Sequence, residues 1–333
     1  MFNFLKKKQA KAVILMYHRI NTAVSDTWQL AVAPNFFEEQ LEALANYKVV
    51  SMQQLVQQLQ TNTIEHASVA LTFDDGYLDN YTTAKPLLEK HHLPATFFIT
   101  NTLGNTDKEF WWDALEYILL ENESLPTEVS LTINNTPFTW NLEEPWQNII
   151  SEEAISWVAS WLPWATPPSP KHALFLHLSE AMKALPQQEK DDVIQQLFAI
   201  AGKENNVRGS YKVMYAEQLA ALSANPLFEV GAHSAHHAAL AKFDKAIQES
   251  EVVTNKTFLE NQLDKKISGY GYAHGSYNTE SIDVLKQYYF SYACSTEHAA
   301  VTTSSNAYAL PRLQVKNWNT EIFKQHIEKL LQP

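Results

Sequence analysis

Seven short apolar runs are spaced through this chain, and they constrain its fold more than any other feature. They are AVILMY (12–17), SVALTF (68–73), ATFFIT (95–100), LFEVGA (227–232), ISGYGY (267–272), FSYACS (290–295) and LPRLQV (310–315). Each is of strand length and rich in β-branched or aromatic residues, as expected of strands covered on both faces. Amphipathic segments lie between them: PNFFEEQLEALANY, with Phe37, Leu41 and Leu44 at helical spacing, LDNYTTAKPLLEKHH, and ESIDVLKQYY. Strand alternating with helix predicts an α/β fold with a mostly parallel sheet, open or closed as a barrel.

With 333 residues, 45% of them hydrophobic, the chain can bury one large core, or a barrel carrying an insertion. The strand-helix rhythm breaks between about 104 and 206. There EVSLTINNTPFTWNL predicts a hairpin turning at Asn134-Asn135, followed by three helix-like segments. Pro186 separates the last two and suits a first helical turn, and Gly202 stands where a helix would stop. Residues 1–333 are therefore expected to form a single barrel domain with 104–206 inserted in it. Seven of the nine tryptophans (Trp111, Trp112, Trp140, Trp146, Trp157, Trp161 and Trp164) fall in that insertion, where large rings give a small unit a core.

A net charge of −12 repels phosphate backbones, which argues against a nucleic-acid partner. The lone Cys294 has no internal disulfide partner and fits a reducing compartment. The apolar run after the charged N-terminus is too short for a signal segment, and no stretch is long enough to cross a bilayer. A cytoplasmic location is expected, with at most loose membrane attraction through Lys6, Lys7, Lys8 and Lys11.

Two of the runs end in residues that carry chemistry. LTFDDGY (71–77) places Asp74 and Asp75 at the C-terminal end of a strand, the face where active sites of parallel barrels collect. Asp-Gly alone is ordinary turn chemistry. However, EVGAHSAHHAAL (229–240) is a second strand running into a polar cluster, with His233 and His237 four apart and His236 beside them. Two imidazoles and a carboxylate can converge on one cation and leave positions for water and substrate.

With TFDDG and HSAHH in this order, the chain resembles the polysaccharide deacetylases of carbohydrate esterase family 4, whose homology domain takes its name from a rhizobial Nod-factor enzyme. The resemblance covers about 12–100 and 212–330, and EFWWDALEYILL at the start of the insertion resembles one bacterial glycan-biosynthesis branch. It implies a distorted (β/α)7-type barrel in which Asp74 is the catalytic base while Asp75, His233 and His237 bind the metal. Zinc is the expected ion, with Co2+, Ni2+, Mn2+ and Fe2+ as alternatives. The third family motif corresponds to YGYAHGSYN (270–278), with Ala273 in place of the usual proline and His274 in place of the usual aromatic. The resemblance gives the backbone N–H of His274 an oxyanion role. The arginine that orients the base in typical members is missing from its usual place, and Arg312 of LPRLQV is the candidate substitute, the alternative being a structurally paired strand-end arginine.

The last family motif, L-x-L-x-H, is absent after residue 300, but VILMYH (13–18) has its character. A circularly permuted barrel would bring that first strand to the same rim and make His18 the general acid, the alternative being a histidine that caps the strand. Tyr77, Tyr272, Trp111 and Trp112 are candidate substrate contacts, since one or two of these rings can stack on sugars. The implied reaction is hydrolysis of an N-acetyl group from an amino sugar of an oligosaccharide, a lipid-linked glycan or a nucleotide sugar, releasing acetate. Three other readings stay open: a glycosidase, a metal-holding sugar binder without turnover, and a deacylase of a different acyl group. Adjacent carboxylates disfavour the glycosidase, whose acids flank the scissile bond.

Overall fold

A computed structural model describes residues 10–23, 25–101, 108–121, 125–143 and 161–332. Lys6, Lys7, Lys8, Trp146, Trp157 and much of the first helix-like segment of the insertion lie outside the described residues. The chain groups into two compact units, one of residues 1–23, 30–105 and 213–333, the other of 24–29 and 106–212.

The first unit is built on strands β1 (Lys11–Tyr17), β2 (Lys48–Val49), β3 (Ser68–Phe73) and β4 (Ala95–Ile99). In the second unit β5 (Glu128–Ile133) and β6 (Thr136–Asn141) form a hairpin. The first unit resumes with β7 (Phe228–Ala232), β8 (Gly269–Gly271), β9 (Tyr292–Cys294), β10 (Val301–Thr302) and β11 (Leu313–Gln314). The main path runs β10-β1-β3-β4-β7-β8-β9, and every pairing from β1 to β9 along it is parallel. β11 pairs parallel with β1, while Leu310 just before it bridges parallel to Cys294 of β9. Residues 310–314 therefore join the two sides of the curled sheet. This is the expected α/β barrel class, with the predicted runs as its strands.

Both faces of the sheet are covered. Val13, Leu15, Tyr17, Leu71, Phe73, Phe97 and Val230 belong to one large core together with residues of the surrounding helices. The alternate positions Ala12, Ile14, Ala70, Phe98 and Cys294 belong to a second core with helix α2. The absence of polar alternation in the runs follows from this double burial. Among the helices, α1 (Pro34–Ala43) begins on its proline, and α2 (Met52–Gln60) starts on a capping box in which Ser51 and Gln54 exchange side-chain and backbone hydrogen bonds. After β3 the chain makes a π-helical turn at Asn80–Ala84 and continues as α3 (Lys85–Lys90).

In the second unit, α4 (Trp111–Leu119), α5 (Pro170–Met182) and α6 (Gln187–Ala201) accompany the hairpin. Asn134 and Asn135 have φ of 49° and 59°, as a two-residue hairpin turn of this hand requires. Pro186 caps α6 at its start, and Gly202, with φ 62°, ends it in the left-handed conformation. Further on in the first unit come α7 (Ala216–Ser223), α8 (Lys245–Leu263), α9 (Thr279–Gln287) and α10 (Thr320–Leu331).

Candidate active site

Parallel register assembles the site. Tyr17 of β1 pairs with Phe73 of β3, so the next residues, His18 and Asp74, emerge side by side. The Asp74 N–H donates to the Tyr17 carbonyl at 3.0 Å. On the other side, Ile99 of β4 pairs with Ala232 of β7, which delivers His233 to the same rim. Asp75 (φ 75°), Ser234 (φ 61°) and His237 (φ 52°) adopt the left-handed conformation, rare outside glycine. Such backbone is tolerated where the surrounding structure fixes it, commonly at functional sites.

Asp75, His233 and His237 are all buried, and a ligand atom from each lies within 4.8 Å of the others. Asp75 Oδ1 is 3.3 Å from His233 Nε2 and 3.2 Å from His237 Nε2. Tetrahedral zinc, bound at about 2.0–2.1 Å, sets its ligand atoms about 3.3 Å apart. His233 Nδ1 lies 2.7 Å from the Gly271 carbonyl, which accepts its proton. In the neutral ring that bond leaves a lone pair on Nε2 pointing at the carboxylate, an arrangement that repels unless a cation or a proton lies between them. A second tie fixes the backbone, since the His233 N–H donates to Asn255 Oδ1 of α8 at 2.8 Å. The donor set, its burial and its spacing fit a divalent metal ion. Burial alone would raise the Asp75 carboxyl, but the two imidazoles outweigh it and hold the group well below the usual carboxylate range. Burial likewise lowers His233, but Asp74 and Asp75 bring the net shift upward.

Asp74 has a different partner. Arg312, fully buried, donates from Nη1 to Asp74 Oδ1 at 2.7 Å and from Nη2 to Oδ2 at 2.8 Å. The fork is held in turn, since Arg312 Nε donates to the Ser295 carbonyl at 2.8 Å and Nη1 to Thr72 Oγ1 at 3.1 Å. Burial would raise the Asp74 carboxyl, but the guanidinium and His233 hold it below its ordinary value. His18 Nε2 lies 4.0 Å from Asp74 Oδ2. Burial lowers the His18 imidazole despite the pull of both carboxylates. Two adjacent aspartates thus have different surroundings, Asp75 among imidazoles and Asp74 against a guanidinium.

The segment after β8 departs from an extended course. Ala273–Gly275 form a short 3-10 turn with His274 at φ 55°, and the His274 ring packs edge-on against His237 with centroids 4.4 Å apart. The turn is held by Gly275 N–H donating to the Tyr272 carbonyl and Ser276 N–H to that of Ala273. Gly275 has φ +64°, and a Cβ on it would lie 2.0 Å from Thr296 Oγ1, so only glycine fits.

The aromatic candidates sit in packing. Tyr77 is fully buried beneath the Arg19 guanidinium, 5.1 Å from its ring, and pairs with Val213. Tyr272 is fully buried too, stacked on Tyr277 at 4.7 Å with its hydroxyl donating to the Tyr308 carbonyl. In the second unit, Trp112 stacks on Phe110 at 4.4 Å and meets Trp111 edge-on at 5.5 Å, both indoles being buried. All four rings therefore serve as core. His236, the extra histidine of HSAHH, is half-exposed with Nδ1 2.7 Å from Glu251 Oε1. Sequence reasoning missed Asn80, Asn255 and Thr72. A polar residue in the middle of a buried helical stripe, as Asn255 is between Val252 and Leu259, is the signal that could have found one of them.

The family model for polysaccharide deacetylase matches residues 61–124 and 183–293, more than half of the chain. The chain belongs to the polysaccharide deacetylase family. Among solved structures, this deacetylase-family chain is similar to the Streptococcus pyogenes deacetylase PplD in complex with acetate. The TM-score is 0.59 at 16% identity, covering 98% of this chain and 100% of that one. It is also similar to IcaB from Ammonifex degensii, with a TM-score of 0.56 at 15% identity over 97% and 98% of the two chains. At these identities the likeness shows the fold. In sequence it is 29% identical over 118 residues to a poly-beta-1,6-N-acetyl-D-glucosamine N-deacetylase of Staphylococcus epidermidis, a match covering 31% of this chain and 41% of that protein. To YxkH of Bacillus subtilis, named for the same family, it is 36% identical over 96 residues, 28% of this chain and 33% of that protein. The matched segments thus span less than half of either relative's length.

Proposed function

We propose that this chain is a metal-dependent hydrolase that removes the N-acetyl group from an amino sugar of a glycan or glycan precursor, releasing acetate. One observation carries the reading. Two neighbouring aspartates are sorted into separate roles, Asp75 among two imidazole nitrogens at 3.2 and 3.3 Å, and Asp74 in a two-pronged bond to buried Arg312. Family membership and the N-deacetylase activity in the name of the Staphylococcus epidermidis relative point the same way.

Asp75, His233 and His237 hold the ion in this reading, with zinc favoured by the mixed imidazole and carboxylate donors. When bound, a divalent ion there supplies Lewis acidity for the acetyl carbonyl and lowers the pKa of water. Asp74 accepts the proton of the attacking water, and Arg312 keeps it ionised and fixes its plane. The His274 backbone N–H stabilises the developing oxyanion, a contribution of about 3 kcal/mol for a donor of this kind. His18 delivers a proton to the departing amine. As the imidazolium it carries that proton, which burial makes easier to release while the nearby Asp74 and Asp75 carboxylates favour the charged form. The position of His18 after β1, beside β11 and β3, supports a permuted order in which the strand that comes last in typical members comes first here.

Acetate release from N-acetylglucosamine oligomers, measured with zinc and again after chelation, tests the proposal. The expected result is acetate only with metal and no new reducing ends. Reducing sugar without acetate would identify a glycosidase, and binding without either product would identify a carbohydrate-binding relative.

A further inference from the structure

The proton donor of the proposed reaction needs a fixed direction, and nothing orients the His18 ring through its second nitrogen, because Nδ1 is buried with no hydrogen-bond partner among the described residues. Its backbone is held instead. The fully buried Asn80, first residue of the π-helical turn after the DDG motif, donates from Nδ2 to the His18 carbonyl at 2.7 Å and to Asp79 Oδ1 at 3.0 Å. Asp79 holds the residues that follow: the Ile20 N–H donates to its Oδ1 at 3.1 Å and Asn21 Nδ2 to its Oδ2 at 2.7 Å. Arg19 Nε lies 3.9 Å from the same carboxylate. From the other side, the Arg19 N–H donates to the Leu30 carbonyl, and the Arg19 carbonyl accepts from the Val32 N–H. The segment carrying His18 is therefore clamped by the helix that leads out of Asp74 and Asp75. π-turns of this kind recur at functional sites.

We infer that Asn80 is a positioning residue for His18: its amide, tied down by Asp79, sets the direction of the imidazole relative to Asp74. The inference rests on the general-acid role proposed for His18. A misplaced proton donor slows departure of an amine, which cannot leave unprotonated, far more than departure of an aryl oxide, which can. A general loss of structure slows both.

The test compares wild type, Asn80→Ala, His18→Ala and the double variant, all zinc-loaded, on N-acetylglucosamine oligomers and on 4-nitrophenyl acetate. Asn80→Ala is expected to lower kcat on the amide at least about tenfold with KM and bound zinc unchanged, to leave aryl acetate hydrolysis within about twofold, and to add no further loss in the His18→Ala background. Should the alanine variant fail to fold, Asn80→Asp keeps the shape while turning the donor into an acceptor against the His18 carbonyl, and is expected to show the same pattern. Equal losses on both substrates, or additive losses in the double variant, would overturn the positioning role while leaving that of His18 intact. If His18→Ala itself shows no preference between the substrates, the general-acid assignment fails and this inference with it.

Discussion

Arg312 acts on Asp74 in two ways, through geometry and through charge, and the two can be separated by substitution. Arg312→Lys keeps a charge but loses the fork, whereas Arg312→Gln loses both. Because the guanidinium holds the Asp74 carboxyl below its ordinary value, Arg312→Gln should raise the Asp74 pKa and, with Asp74 as the proposed base, move the acid limb of kcat/KM to higher pH, as read from pH-rate profiles. Breaking a buried pair by removing one partner costs about 3–5 kcal/mol, so a fall in thermal midpoint should accompany it. In the wild type the sign is fixed: a carboxyl depressed on folding stabilises above its unfolded pKa, and that contribution is lost as pH falls through the folded value. Much of this was legible at the level of single residues. Asp74, Asp75, His233 and His237 each follow a strand end directly or by a few positions, where register leaves little freedom. Arg312 was found through the LPRLQV resemblance. Rings beside a motif are ambiguous in sequence, because sugar stacking and core filling ask for the same side chains. Tyr77, Tyr272, Trp111 and Trp112 are all buried in packing.

Among the elements, α8 supports the His233 segment from behind through Asn255. Its buried face runs through Gln248, Val252, Asn255 and Leu259, and Asn255 spans three elements. It accepts the His233 N–H and donates to the Ile99 carbonyl at 3.0 Å and to Asn101 Oδ1 at 2.8 Å. Asn255→Ala leaves those buried groups without partners, at a cost of about 1–3 kcal/mol, and loosens a ligand-bearing loop. Zinc affinity should weaken about 10–100-fold, as measured by competition with a chromophoric chelator. The strands were legible because double burial makes uniform apolar runs, and the hairpin because Asn-Asn tolerates positive φ. The two-residue strands β2 and β10 carry no pattern long enough to read. The π-turn at Asn80–Ala84 was invisible since it breaks helical periodicity by a single residue.

For the whole molecule, alternation of strand and helix fixed the fold class, and two motifs pointed to the family. The break in rhythm near residue 104 marked where the pattern changes, but nothing in the pattern indicated that residues 24–29 group with 106–212. No described helix is long and apolar enough to cross a membrane. If the three buried ligands hold an ion, metal binding is linked to folding. Chelation should lower the thermal midpoint, and restoring zinc to a hundred times its dissociation constant should return about 2.7 kcal/mol. Counting metal per chain beside acetate release in wild type, Asp74→Asn and His233→Ala tests the division of labour between the two aspartates most directly. One ion per chain is expected in wild type and Asp74→Asn, acetate from wild type alone, and neither ion nor acetate with His233→Ala. An Asp74→Asn protein that stays fully active, or a His233→Ala protein that keeps its metal, would contradict it.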